Sequence, residues 1–321
     1  MSISSPVIQA RGLGKRFGDL VAVRDLGFSV QAGQVLGLLG PNGAGKTTTI
    51  NMMTTLCPID AGTATVDGYD VASRPAVVRQ GIGLAGQAAA VDEKLTAREN
   101  LELFARLYKL PRERRAPRID ELIDRFDLGR FADRLAGTYS GGERRRLDVV
   151  AALVADPPAL FLDEPTTGLD PRSRAELWEA IRLLAVEGPA IVLTTHYLEE
   201  VDQLADHVLV VDHGGEVAAG SPGALKRELG RDVLEIRLSD PADTRVAARM
   251  LADDTGVVVD DAAGRLDFPG AYGADRSLAL LRRLQDGGVA IADFQLRRPT
   301  LDDVFLALTG APATTDTEEA A

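Results

Sequence analysis

Apolar and polar positions divide the first two thirds of this chain into short buried strands that alternate with amphipathic helices. Four mostly apolar runs have the length of buried strands: Gln34–Leu39, Gly81–Ala85, Ala159–Leu162 and Ala190–Leu193. Apolar residues recur at helical spacing between residues 96 and 135, and further helices are predicted over 48–53 and 172–185. Strands that alternate with helices favour a parallel sheet, so the pattern predicts an α/β domain.

Other strands of this region are predicted to be antiparallel. Val7–Ala10 and Leu26–Val30 read as an early antiparallel region, and Thr63–Val66 is a strand that ends at an Asp-Gly turn. Val208–Val211 and Glu216–Ala219 flank Asp-His-Gly-Gly and predict a closing hairpin. Pro111 and Pro117 are expected to interrupt the helices between residues 96 and 135.

The pattern changes after Arg227. Strands are predicted over 234–238, 257–259, 265–268 and 289–296, and helices over 244–252 and 277–285. This β-α-β-β-α-β order is the ferredoxin-like split pattern. Thr300-Leu301-Asp302-Asp303 resembles a capping box that begins a last helix. We therefore predict a first domain over 1–227, a small α+β domain over 228–310 and a polar, disordered tail over 311–321.

Composition narrows the class of protein. The chain has 321 residues, 45% of them hydrophobic, and a net charge of −12. So acidic a protein is a poor candidate for sequence-independent nucleic-acid binding. The single cysteine, Cys57, excludes a disulfide framework, and no apolar run approaches the ~18 residues of a membrane span. The N-terminus lacks a signal pattern, so a soluble, cytoplasmic protein is expected.

The residues after the first buried strand carry the clearest chemistry. Gly40-Pro41-Asn42-Gly43-Ala44-Gly45-Lys46-Thr47 fits the phosphate-binding pattern G-x-x-x-x-G-K-[ST]. Glycines let backbone N–H groups point at phosphate oxygens, Lys46 reaches the β/γ-phosphates, and the Thr47 hydroxyl can bind Mg²⁺. A strand before the loop and a helix after it, beginning near Thr48, are the context that this motif requires.

Further motifs narrow the chemistry, although each has a purely structural alternative. Asp163 and Glu164 end an apolar strand. In the functional interpretation, Asp163 holds Mg²⁺ and Glu164 orients the attacking water. In the structural alternative, both are solvated acids at the end of a strand. Ser140-Gly141-Gly142-Glu143 can bind an anion at a helix start, or form a plain turn. Gln87 is a candidate to bind Mg²⁺ or the attacking water; alternatively it is a surface glutamine. His196 is a candidate to contact the γ-phosphate; alternatively it is a structural histidine.

Together and in this order, these residues closely resemble the nucleotide-binding subunit of ATP-binding cassette (ABC) transporters. The resemblance covers Val7 to about Leu225, and Tyr139-Ser140-Gly141-Gly142-Glu143 is similar to the family signature L-S-G-G-Q. It implies a P-loop ABC ATPase fold with a RecA-like parallel sheet, an antiparallel β region and a helical signature subdomain at about 88–145. Phe17 lies where the family places an aromatic ring against adenine, and the Gly168-Leu169-Asp170 segment resembles its dimer-contacting loop.

The resemblance also implies a mechanism. Two subunits would pack head to tail, with each ATP between the 40–47 loop of one and the 140–143 signature of the other. Mg²⁺ would lie near Thr47, Gln87 and Asp163, and hydrolysis would involve Lys46, Glu164, His196 and Gln87. The implied partner is a separate multi-span permease, docked near Gln87, at the cytoplasmic face of the membrane.

Two segments suggest a subgroup. The run Arg144-Arg145-Arg146-Leu147-Asp148 and the C-terminal 298–310 segment resemble the daunorubicin/doxorubicin-resistance type of ABC exporter, which exports hydrophobic drugs or self-made antibiotics. The basic run is also typical of a solvated helix face. An importer subunit, an ABC ATPase for a lipid or polysaccharide, and a soluble ABC ATPase of translation or repair remain alternatives.

Overall fold

The computed structural model describes residues 5–186, 188–228, 233–251, 257–268, 274–297 and 300–309. The chain divides into two compact units, Met1–Gly220 and Ser221–Ala321. The first unit contains strands β1 (Ile8–Phe17), β2 (Leu20–Val30), β3 (Val35–Leu39), β4 (Ala61–Val66), β5 (Tyr69–Asp70), β6 (Ile82–Ala85), β7 (Ala159–Asp163), β8 (Ala190–Thr195), β9 (His207–Asp212) and β10 (Gly215–Gly220). Its helices are α1 (Lys46–Met53), α2 (Pro75–Gln80), α3 (Ala97–Leu107), α4 (Arg112–Arg125), α5 (Gly141–Ala152), α6 (Pro171–Val186) and α7 (Leu198–Leu204), and a 3₁₀ turn spans Ala136–Thr138.

A six-stranded sheet in the order β10-β9-β3-β8-β7-β6 forms the centre of the first unit. The neighbours from β9 to β6 are parallel, whereas β10 pairs antiparallel with β9 as the predicted hairpin. Strands β3, β7 and β8 are buried along their whole length. Burial on both faces explains why these strands are continuous apolar runs in the sequence.

Strand β7 shows how the sheet divides the core. Leu160 and Leu162 belong to a cluster that includes the helical residues Leu147 and Leu177. Ala159 and Phe161 point to the other face and join a cluster with the antiparallel strands. Since successive side chains of a strand face opposite ways, one strand supplies both cores.

The antiparallel region is a four-stranded sheet in the order β2-β1-β4-β5, as the sequence predicted for its first strands. The helices predicted between residues 96 and 135 are α3 and α4. The expectation that Pro117 interrupts a helix is wrong, because α4 continues through it. Pro117 lies inside α4, beyond its first turn, so the helix continues without the hydrogen bond that the residue-117 N–H would have donated.

The second unit contains α8 (Pro222–Glu228), β11 (Val233–Leu238), α9 (Thr244–Met250), β12 (Val258–Asp260), β13 (Arg265–Phe268), α10 (Ala274–Asp286), β14 (Ile291–Arg297) and α11 (Leu301–Thr309). Its antiparallel sheet has the order β12-β13-β11-β14. The predicted β-α-β-β-α-β order is present, and the predicted capping box forms, because Asp303 accepts from the Thr300 amide and donates its own amide to Thr300 Oγ1. The sequence assigned α8 to the first domain, whereas the structure groups it with α11. The tail predicted over 311–321 lies outside the described residues.

This topology fixes where chemistry can occur. Parallel strands have their carboxyl ends at one edge of a sheet, and ligands of open α/β sheets bind there. The carboxyl ends of β3, β6, β7 and β8 and the residues just after them carry the 40–47 loop, Gln87, Asp163–Glu164 and His196, respectively. Residues far apart in sequence are therefore brought to one edge.

Candidate nucleotide site

The 40–47 loop connects β3 to α1 and curls through glycines. Gly43 and Gly45 have φ values of +82° and +103°, a region that other residues rarely adopt. A Cβ on Gly45 would lie 2.4 Å from the Ala22 carbonyl oxygen, and one on Gly40 would lie 2.2 Å from that of Val211. Ala44 is buried and accepts a hydrogen bond from the Gly214 amide. The loop is thus packed against its neighbours in one conformation.

Lys46 is buried at the start of α1. Its Nζ donates to the carbonyl oxygens of Gly40 at 2.7 Å and Pro41 at 3.1 Å, and lies 3.5 Å from Glu164 Oε1. Burial lowers the pKa of Lys46 below its ordinary value, although the Glu164 carboxylate opposes that shift. A cation that is this desolvated favours contact with anionic groups over contact with water.

Asp163 ends β7 and lies beside two hydroxyl groups. The hydroxyls of Thr47 and Thr194 donate to its Oδ1 at 3.2 Å and 2.5 Å. The Gln87 amide in turn donates to Thr47 Oγ1 at 3.2 Å. A carboxylate, a hydroxyl and an amide oxygen are ligands that suit Mg²⁺, which usually keeps several waters and takes one or two carboxylates plus substrate phosphates.

Glu164 has an unusual backbone. Its φ is +49°, and its amide donates to the Thr194 carbonyl and hydroxyl. The side chain points between Lys46 and His196, whose Nδ1 lies 3.5 Å from Glu164 Oε2. The His196 imidazole, followed by Lys46, lowers the pKa of Glu164 to about 2 against the opposing effect of burial. Glu164 is therefore ionised at neutral pH, and it accepts hydrogen bonds rather than donating them.

Lys46, Thr47, Gln87 and Glu164 line one pocket of about 950 Å³, whereas Asp163 and His196 lie behind or beside them and do not line it. Its wall includes Phe17, Asn42, Gly43, Gly45, Lys46, Thr47, Thr48, Gln87, Glu164 and Thr167. Phe17 is 53% exposed, so it is not a core residue, and the Lys15 ammonium lies 5.3 Å from its ring centroid. An exposed aromatic face at the rim offers a stacking surface for a planar base.

The signature segment lies elsewhere on the same chain. Ser140 caps α5, because its Oγ accepts from the Glu143 amide while Glu143 accepts from the Ser140 amide. Ser140, Gly142 and Glu143 line a second pocket of about 670 Å³ that shares no lining residue with the first. Asp170 likewise uses its carboxylate to accept from the amides of Arg172 and Ser173 at the start of α6. One chain thus does not bring the signature to its own phosphate loop.

Sequence reasoning missed three side chains of the site. The Thr194 hydroxyl donates to Asp163, and the Thr167 hydroxyl donates to Glu164. Isolated threonines in the sequence did not indicate these contacts. The basic run that contains Arg145 was predicted to be a solvated helix face, and for Arg145 that prediction is wrong. Arg145 is only 7% exposed and donates to the backbone carbonyls of Asp163 and Glu164. Helical spacing places Arg145 on the same face as the apolar Val149 and Ala152, four and seven residues later, which was the available signal.

Comparison with known proteins agrees with this geometry. The ABC transporter family model matches residues 23–167, and the model of the C-terminal domain of DrrA1-3-like ATP-binding proteins matches residues 220–309. The chain is 49% identical to the daunorubicin/doxorubicin resistance ATP-binding protein DrrA of Streptomyces peucetius, over 98% of this chain and 96% of that protein. It is 41% identical to the Nod factor export ATP-binding protein I of Burkholderia lata, over 94% and 97%. A solved ATP-binding subunit of an ABC transporter superposes with a TM-score of 0.63 and 28% identity, over 69% of this chain and 92% of that one.

Proposed function

This chain belongs to the ABC transporter ATP-binding subunits of the DrrA daunorubicin/doxorubicin resistance type, and on that premise we propose which residues bind and hydrolyse ATP and what the hydrolysis powers. It is an ABC transporter ATPase. The observation that carries the assignment of the site is a pair of contacts between the phosphate loop and the end of β7: Lys46 lies 3.5 Å from Glu164, and Thr47 donates to Asp163 at 3.2 Å. Gly40–Thr48 cradles the phosphates, and Phe17 stacks on the adenine.

The roles in hydrolysis follow from charge and geometry. Lys46 neutralises the β/γ-phosphates, and the ionised Glu164 orients the attacking water, helped by Gln87. His196 lies beside Glu164 and contacts the γ-phosphate. Thr47, Asp163 and Gln87 hold Mg²⁺. Bound Mg²⁺ supplies further neutralisation of charge on the phosphate oxygens.

A complete site requires a second copy of the chain. The separation of the signature pocket from the phosphate loop supports a head-to-tail dimer. In it, Ser140, Gly141, Gly142 and Glu143 of one copy close on the ATP held by the other. Asp170, which follows the signature in sequence and lies just before α6, contacts the partner. Such a composite site would link hydrolysis to opening and closing of the dimer.

The work done by that cycle is export. No helix of the described residues is long and apolar enough to cross a membrane. The match to the ABC transporter family supports a separate multi-span permease as the path of the transported molecule. The subunit binds the permease at the cytoplasmic face of the membrane. Similarity over nearly the full length to a daunorubicin/doxorubicin resistance protein supports a hydrophobic drug or antibiotic as the substrate. The Nod factor export relative makes another exported molecule the second candidate.

Co-purification tests the partner. A tagged chain is recovered from membranes of its host, and the bound proteins are identified by mass spectrometry. We expect a small multi-span permease. Ribosomal or DNA-repair proteins without a permease would contradict export.

Drug tolerance tests the substrate. A host that carries Glu164→Gln should accumulate daunorubicin and become sensitive to it. A host with the exposed Glu113→Gln should behave as wild type. Unchanged sensitivity with an intact permease complex would favour a different exported molecule.

A further inference from the structure

The guanidinium of Arg145 lies behind the backbone that carries Glu164. Arg145 belongs to α5, the helix that begins after Ser140. Its Nε donates to the Pro165 carbonyl at 2.8 Å, and its Nη2 donates to the carbonyls of Asp163 at 2.9 Å and Glu164 at 3.1 Å. One side chain thus binds three consecutive carbonyl oxygens of this segment.

The 163–165 segment has a backbone conformation that is unfavourable unless neighbouring groups hold it in place. Glu164 has a φ of +49°, and a side chain in the left-handed region persists only where its surroundings fix it. Thr194 holds the Glu164 amide from one side, and Arg145 holds the carbonyls from the other. The bend that directs the carboxylate toward Lys46 and His196 is therefore fixed at both ends.

The same side chain reaches the segment that carries Gln87. Arg145 Nη1 donates to the Gly86 carbonyl at 2.5 Å and lies 3.3 Å from Asp148 Oδ2. Asp148, also on α5, accepts from the Ala90 amide at 2.7 Å. The buried Arg145–Asp148 pair thus binds both ends of the 86–90 segment, whose Gln87 side chain donates to Thr47.

A buried ion pair by itself is weak evidence for net stability, since apolar residues of similar volume often do as well. A guanidinium adds hydrogen bonds of fixed direction, because its five N–H donors lie in one rigid plane. Here those donors bind the two segments that carry Glu164 and Gln87. The described contacts of Arg145 include none with the 40–47 loop or Phe17.

We infer that Arg145, paired with Asp148, is a positioning residue for ATP hydrolysis. It fixes the backbone of Glu164 and of Gln87 against the helix that begins at the signature, without touching nucleotide. This inference rests on the proposed roles of Glu164 and Gln87. Because α5 begins after Ser140, the same contacts join the signature of a chain to the hydrolytic residues of its own site.

Arg145→Lys in the full chain tests the inference. Lysine keeps the charge but has three donors on a point-like head, so it cannot bind Gly86 and three further carbonyls together. We expect kcat to fall on the order of ten- to a hundredfold, as small displacements of catalytic groups do. Binding of a fluorescent ATP analogue should not change. A loss of nucleotide affinity equal to the loss of kcat, or no change in kcat, would overturn the inference.

Arg118→Lys is the matched control. Arg118 is also mostly buried, donates to the Leu153 carbonyl and pairs with Glu121, but none of its hydrogen-bond or ion-pair partners belongs to the site. Arg118→Lys should lower the free energy of unfolding by a similar amount and leave kcat unchanged. Amide hydrogen exchange gives a readout that is independent of turnover. Exchange over 86–90 and 164–167 should become faster in Arg145→Lys but not in Arg118→Lys, and equal exchange in the two variants would contradict the inference.

Two further variants keep the test decisive. If Arg145→Lys does not fold, Asp148→Asn retains an oxygen for the Ala90 amide and removes only the charge. Asp148→Asn should lower kcat and leave nucleotide affinity unchanged, and an unchanged kcat would overturn the inference.

In single turnover, adding Arg145→Lys to Glu164→Gln should lower the rate of hydrolysis by a smaller factor than Arg145→Lys does in wild type, because both changes act on one group. Fully additive losses would contradict positioning of Glu164. A wild-type chain that neither bound nor hydrolysed ATP would instead overturn the proposed function itself.

Discussion

Lys46 Nζ lies 3.5 Å from Glu164 Oε1 while it donates hydrogen bonds to the carbonyl oxygens of Gly40 and Pro41. The cation of the phosphate loop is thus held by the loop itself and by the carboxylate proposed to orient water. A bound phosphate would compete for the same three donors of the ammonium group. We therefore expect nucleotide binding to exchange these partners and to release Glu164 from its cation.

Lys46→Ala should lose nucleotide affinity. A hydrogen bond to a charged group contributes about 1.5–3 kcal/mol, so the Kd should rise roughly ten- to a hundredfold. Titration with a fluorescent ATP analogue measures the change, with the exposed Lys94→Ala as control. Wild-type affinity in Lys46→Ala would show that the phosphates do not bind this loop.

Glu164→Gln should bind ATP but hydrolyse it poorly. The amide is nearly isosteric, but it lacks the charge that orients water, and general-base contributions are typically about 10²–10⁴-fold. Steady-state hydrolysis and nucleotide binding, measured on the same preparation, separate the two effects. Turnover at the wild-type rate would remove Glu164 from the mechanism.

The pH dependence of stability should also report Glu164. Its pKa is lowered from 4.5 to about 2 in the folded chain, so the ionised form stabilises the fold above pH 4.5, and this stabilisation is lost as the pH falls toward 2. Nucleotide-free wild type should exceed Glu164→Gln in unfolding free energy by on the order of 2 kcal/mol at pH 7. Urea unfolding at pH 7, 5, 4 and 3 should show the difference shrinking only below about pH 4.5. A difference that grew between pH 4.5 and pH 3 would contradict the assigned shift.

Gly45→Ala should distort the phosphate loop. The left-handed conformation alone costs a non-glycine residue about 1–2 kcal/mol, and the new Cβ would also overlap the Ala22 carbonyl at 2.4 Å. Gly68→Ala is the control, since Gly68 has a φ of +75° but nothing within 4 Å of an added Cβ. Thermal unfolding and ATP binding should both be worse for Gly45→Ala. Equal effects in the two variants would show that the close approach at Gly45 does not matter.

The composite site can be tested by mixing variants. Lys46→Ala and Ser140→Arg should each abolish hydrolysis alone, but a mixed head-to-tail dimer would retain one site with both residues intact. Mixing the two proteins should therefore restore part of the activity. A chain that carries both changes should restore none when it is added to either single variant. The absence of recovery in mixtures that form heterodimers would contradict the shared site.

The local patterns of this chain predicted much of its fold. Strands β3, β7 and β8 are continuous apolar runs because both faces are buried, and the helix and strand predicted over 277–285 and 289–296 are present as α10 and β14 of the second unit. Pro117 shows the limit of such patterns, since α4 continues through a residue that by itself disfavours the interior of a helix.

The sequence by itself determined the phosphate loop, the two acids that end β7 and the order of strands and helices, because each depends on neighbouring residues and on backbone preferences. Only the tertiary structure decided which polar groups meet. It placed Lys46 against Glu164 and buried Arg145 among carbonyls of two other segments. It also separated Ser140 from the phosphate loop of its own chain. Such contacts join residues far apart in sequence, and the packing of the whole sheet and its helices sets their distances, which no local period encodes.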